Sequence, residues 1–157
     1  MSFGQFKNVA EVQKVYNIKY EEGIFIQEVN IAVPQSFIEE FKFNKENIDM
    51  FSSEASRSGL IISPLLRKIY KRHSKKYSFW IQKAISFDDV LSGTPDYILS
   101  KKSALGKTVL ETLIVIVVEA KKNDFEQGWG QCLAELVASQ KINNNDMLKA
   151  GYCTKSP

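Results

Sequence analysis

The chain has 157 residues, 44% of them hydrophobic and 25% charged, with a formal net charge of +3. This composition fits one globular domain that can bury a core without disulfide or metal staples, and no internal repeat or low-complexity linker suggests a second. The longest apolar run, Leu113 to Val118, is far too short for a membrane span, and "MSFGQFKNVAEVQ" lacks the apolar core and cleavage site of a secretory signal, so a cytoplasmic protein with no membrane partner is expected.

Charge is unevenly distributed: residues 1–56 hold 5 Lys and Arg against 9 Asp and Glu, and residues 57–157 hold 16 against 9. That asymmetry favours an anionic partner for the second part. Cys132 and Cys153 are too few and too far apart for a metal knuckle, and two reduced thiols are expected.

From the N-terminus, Phe6, Val9, Val12, Val15 and Tyr16 have helical spacing, and "YEEGIFIQEVNIAV" has strand character from Ile24 onward. Residues 1–43 thus read as a helix and strand appended to a core of residues 44–157, within a single domain 1–157. In the core, Ile48, Phe51, Ala55, Ser58 and Ile62 fall along one side of a helix for which Asn44 is a candidate cap. Ser63-Pro64 marks a kink or break, because proline is tolerated at a helix start but not in its middle; a second helix then runs to about Lys76. From Ser78 the period changes, and aromatic and β-branched residues predict three consecutive antiparallel strands, with "SKKSALGK" as the tip between the last two. The last strand, nearly continuous in apolar residues up to Val118, reads as central and covered on both faces. A helix from about Phe125 to Gln140 follows, with Leu133, Leu136 and Val137 as its packing side, and "MLKAGYCTKSP" leaves room for the beginning of one more strand.

Side chains alternate across a strand, so Glu119 and Lys121 share a face while Ala120 points the other way. In an antiparallel pair the start of one strand lies beside the end of the next. Asp96, which follows Gly93 and Pro95 where the preceding strand begins, is thereby brought next to Glu119. Two adjacent carboxylates repel unless they share a proton or bind a cation. A hard divalent metal suits them, since Mg²⁺ takes one or two carboxylates and leaves its other positions to water and substrate phosphate.

These residues carry a resemblance. "GTPDYIL" and "VVEAKK", with 22 residues between Asp96 and Glu119, resemble the two halves of the PD-(D/E)XK nuclease superfamily signature. Upstream, "SEASRSGLIISPLL" is similar to a stretch that precedes the core in the nuclease domains of type I restriction subunits, and downstream "GQCLAEL" resembles the helix that contributes a glutamine in many members. The four pieces occur in the family's order over about residues 48–140. The resemblance implies a restriction-endonuclease-like α/β core, a central mixed β-sheet flanked by helices on both sides, and a Mg²⁺- or Mn²⁺-dependent nuclease acting on DNA. It further implies that Asp96 and Glu119 hold the metal with the Ala120 carbonyl, that Lys121 serves the attacking water or the charge developing on phosphorus, that Gln131 positions ligand or substrate, and that Glu54 joins the ligand shell. Homodimers are common in the family. Its core normally has a further strand after the glutamine helix, for which only the short tail remains.

Plainer readings stand beside these. Glu119 and Lys121 could be a surface ion pair, Asp96 a turn cap, Glu54 and Arg57 a helical salt-bridge pair, and Gln131 simply solvated, with Gln127 one turn before it on the same face. His73 reads as a surface residue, and Trp80 and Trp129 as packing residues. In "RKIYKRHSKK", Arg67, Lys71 and Lys75 form one row of a helix and Lys68, Arg72 and Lys76 the adjacent one, either a solvated face or a track for a phosphate backbone. The alternative to a nuclease is a non-catalytic nucleic-acid-binding or interaction module of the same fold.

Overall fold

A computed structural model describes residues 2–24, 28–121 and 124–144 in full, and the backbone of 151–154. After a 3₁₀ turn at Phe3–Gln5, helix α1 (Val9–Tyr16) begins on Asn8, whose Oδ1 accepts the Glu11 N–H at 3.0 Å while the Glu11 carboxylate accepts the Lys7 N–H at 2.8 Å. Phe3, Phe6 and Val12 are all buried in the main core. The expected first helix therefore forms, but as an integral wall of the core. The strand expected from Ile24 lies partly on residues 25–27, outside those described; the flanking residues 21–24 and 28–34 have no regular structure.

Helix α2 (Gln35–Asn47) takes in Asn44, so that residue is interior to a helix and caps none. The helix buries no residue completely; Phe37 and Phe41 stack on each other with ring centroids 6.5 Å apart. The core-facing helix starts at α3 (Glu54–Arg57), where the Ser53 hydroxyl accepts the Ser56 N–H at 2.9 Å. No break follows at Ser63-Pro64. A π-helical turn, Ser58–Ile62, leads straight into α4 (Ser63–His73), and the Ser63 N–H donates to the Ser58 carbonyl, one residue further back than in an α-helix. The wider turn admits Pro64, which has no N–H to donate and whose ring would crowd the carbonyl four residues before it in regular α geometry. Helix α4 ends at His73, so Lys75 and Lys76 lie in the turn into the sheet.

The sheet has the order β1 (Tyr77–Ile81), β4 (Tyr97–Lys101), β5 (Ile114–Ala120), β6 (Gly151–Thr154). The first three are antiparallel as expected, and β6, formed by the short tail, runs parallel to β5. Between β1 and β4 the chain forms a small ribbon of β2 (Ile85–Ser86) and β3 (Ser92–Gly93). Helix α5 (Phe125–Ile142) starts on Asp124, whose carboxylate accepts the Gln127 N–H. Alternation along β4 and β5 gives each sheet face its own cover: Ile98 and Val117 pack with α1 and α5, while Tyr97, Val118 and Ala120 pack with Ile62 and Leu66. The protein is thus mixed α/β, with helices on both sides of a mixed sheet. Between Leu99 and Ser100 the pairing passes over Val115, a bulge that returns Ile114 to the α5 face. Helix α5 buries Val137, as expected, together with small residues one turn apart, Gly130, Ala134 and Ala138, and Leu133 and Leu136 are only partly buried; Gly130 lies against the main chain of Asn8.

Candidate functional site

The site lies at the end of β5. Tyr97 pairs with Val118, so Asp96, one residue before β4, stands opposite Glu119. The Asp96 Oδ2 accepts the Ala120 N–H at 2.8 Å, which fixes this carboxylate to the neighbouring strand. Glu119 is 3% exposed; its Oε1 receives the Lys121 ammonium at 2.9 Å and the Gln131 Nε2 at 2.6 Å, while its Oε2 is buried without a hydrogen-bond partner. The Glu119–Lys121 pair is half-enclosed, which sets it apart from a surface ion pair. Gly128 makes room for it: a Cβ there would come within 2.6 Å of the Lys121 Cγ.

Gln131 also donates to Glu135, one turn further along α5, at 3.1 Å. Glu135 is fully buried, and its Oε2 has no hydrogen-bond partner. A glutamate among Leu133, Ala134 and Leu136 looks ordinary until the helix is docked; its one sequence signal is the four-residue step from Gln131. Arg57 donates from Nη1 to the Lys121 carbonyl at 3.2 Å and so ties α3 to the end of β5. Glu54, exposed at the start of α3, shares a cleft with Asp96 and acts electrostatically on Asp96 and Lys121. Gln127 is directed elsewhere, donating to the Gly4 carbonyl at 3.1 Å.

Electrostatics match this crowding. Burial raises the Asp96 pKa, with the Ala120 N–H and Lys121 opposing and Glu54 adding. Glu119 is raised by burial and by Asp96 against the pull of Lys121, and Glu135 is raised well above 4.5 by burial and by Glu119. Burial on its own would lower Lys121; its bond to Glu119 and the charges of Glu54 and Asp96 raise it, so the ammonium stays charged. A cluster short of positive charge is the environment in which a cation gains most.

Among the described residues no three His, Cys, Asp or Glu side chains converge as a metal centre. Asp96 and Glu119 present two carboxylates at the end of β5, a number that suits Mg²⁺ or Mn²⁺ coordinated mainly by water and phosphate.

The six basic residues are split. Lys68 lies over the Phe37 ring at 5.7 Å and Arg72 donates to the Ala32 carbonyl at 3.2 Å, so both engage the N-terminal segment; Arg67, Lys71, Lys75 and Lys76 are exposed. His73 is exposed at the end of α4. Trp80 donates its indole N–H to the Ser100 hydroxyl at 2.9 Å, in keeping with a packing role, whereas Trp129 is 43% exposed. Cys132 is buried, and the Cys153 side chain lies outside the described residues. No described helix is long and apolar enough to cross a membrane.

Comparison with family models, with curated proteins and with solved structures finds no match to this chain.

Proposed function

We propose that the protein is a metal-dependent nuclease of restriction-endonuclease-like fold that hydrolyses phosphodiester bonds in DNA. The observation that carries this reading is the meeting of Asp96 and Glu119 across β4 and β5, with Lys121 on one Glu119 oxygen and the other oxygen buried and unpartnered. Asp96 and Glu119, with the Ala120 carbonyl, would hold Mg²⁺ or Mn²⁺, which when bound supplies Lewis acidity and hydroxide near neutral pH. Lys121 holds an ammonium beside the paired carboxylates, available to orient water or to balance charge growing on the phosphate. Gln131 fixes the rotamer of Glu119, Arg57 fixes the main chain of Lys121, and Glu54 adds negative charge at the open side. Arg67 and Lys71, with Lys75 and Lys76 beyond them, lead away from the cleft along α4 and supply sequence-independent phosphate contacts.

The test is calorimetric titration of Mn²⁺ into the protein and its Glu119→Ala variant, with a gel assay on single-stranded and duplex DNA. Metal uptake and cleavage that both vanish in the variant support the reading. Nucleic-acid binding with neither uptake nor cleavage in the parent protein would instead favour the binding module.

A further inference from the structure

We infer that the cleft beside Asp96 receives an unpaired nucleoside of a DNA strand, which makes single-stranded or frayed DNA the preferred substrate; this rests on the nuclease reading above. The cleft has a volume of about 380 Å³ and lies between the α3–α4 helix and the end of β1. That is within the ~300–1,000 Å³ of small-ligand sites, and far too small a recess for a duplex. Gly59 and Ile81 give it an apolar wall, Ser63 and Gln82 add neutral polar groups, and Glu54 and Asp96 stand at the acidic side.

Charge decides which part of a nucleotide enters. Among the described residues no Lys or Arg lines the cleft, so a phosphate drawn into it, away from Lys121 and from a metal held between Asp96 and Glu119, would meet Glu54 and Asp96 with no side-chain cation. A base with its sugar is uncharged, and offers an apolar face together with donors and acceptors. The phosphate is then left on the Lys121 side, next to the paired carboxylates. Gln82 is built for the neutral part. Its φ of 47° is unusual for a residue other than glycine, and its main-chain N–H donates to the Asp96 carbonyl at 2.9 Å, so its placement is tied to a site residue. Its exposed carboxamide lines the cleft and offers one donor and one acceptor group to a base edge. Space over Gly59 is open, since a Cβ there would meet nothing within 4 Å. A base inside a duplex has its pairing edge occupied and both faces stacked. It can enter only after extrusion, which costs a single strand least.

The test is fluorescence anisotropy of one labelled oligonucleotide, as a single strand and as a blunt duplex, with Ca²⁺ present. The parent protein is expected to favour the single strand by about tenfold or more, equivalent to about 1.4 kcal/mol. Gly59→Leu fills the cleft and Gln82→Ala removes the carboxamide; each should bring the ratio down to about threefold or less. The exposed Gln82 keeps the test available if the leucine variant does not fold. Equal affinity for both forms in the parent, or a preference untouched by both substitutions, overturns the inference. Cleavage on a parallel gel separates the two readings: Mn²⁺-dependent cutting without strand preference retains the nuclease and removes the cleft's role, while strand preference without cutting does the reverse.

Discussion

Gly128 offers a test of the site's construction that needs no substrate. Replacing it by alanine puts a Cβ 2.6 Å from the Lys121 Cγ and 3.5 Å from its Cβ, with helix backbone otherwise undisturbed. The methylene must retreat by about 1 Å to reach normal van der Waals separation, and the ammonium, further along the same side chain, leaves its 2.9 Å contact with Glu119. Two effects oppose each other. Alanine in a helix interior gains roughly 0.5–1 kcal/mol over glycine. Displacing a packed side chain costs ~1–3 kcal/mol, with the low end apt here because lysine is flexible. The expected result is a net loss of about 0–1.5 kcal/mol in an otherwise unchanged chain. In a Lys121→Ala background the obstruction is gone, and the same substitution should stabilise by about 0.5–1 kcal/mol. Urea unfolding of the four proteins closes a double-mutant cycle with a coupling of about 0.5–2.5 kcal/mol. An equal effect of Gly128→Ala in both backgrounds would falsify the close packing of Lys121 on α5.

Gly130→Ala should behave differently, because its Cβ would meet the main chain of Asn8 at 2.8 Å; a loss of ~1–3 kcal/mol in urea unfolding is expected, and parental stability would show that α1 is not seated there. Glu135 binds a proton more tightly in the folded than in the unfolded chain, so its contribution is full below 4.5 and is lost as pH rises through its raised value. Glu135→Gln in chelator should therefore gain stability relative to the parent as pH rises above 4.5, and parallel pH profiles would contradict this. Substituting Arg67 and Lys71 by Ala should weaken DNA binding whatever the sequence and reduce the salt slope by about 0.7–0.9 per lost phosphate contact; an unaltered slope in salt titration removes α4 from the interface.

What could be read ahead of the structure follows from which signals are local. Alternation alone puts Glu119 and Lys121 on one face, and a hairpin alone brings Asp96 beside them; both hold in the β4–β5 register. Helix α5 was readable from periodicity, but its approach to the main chain of Asn8 was not, because Gly130 carries no hydrophobic signal and matters for the approach it permits. Helix α2 escaped because it has no fully buried side, and Phe43 is 62% exposed. The π-helical turn at Ser58–Ile62 has the same Pro64 signature as a helix break, and only the surrounding packing decides between them. Glu135 and the diversion of Gln127 to Gly4 depend on contacts between segments distant in sequence, which spacing does not encode.

The bulge at Val115 has a consequence for how the hairpin can vary. Ile114 and Val117 face the same side although an odd number of positions separates them, so the strand carries two phases joined at one residue. The phase that orients Glu119 is set downstream of that joint by pairing with Tyr97 and Ile98. Lengthening or shortening the 102–113 connection therefore perturbs the hairpin end of the sheet without rotating the acidic pair. The loop is free to diversify while the chemistry at the other end stays in frame.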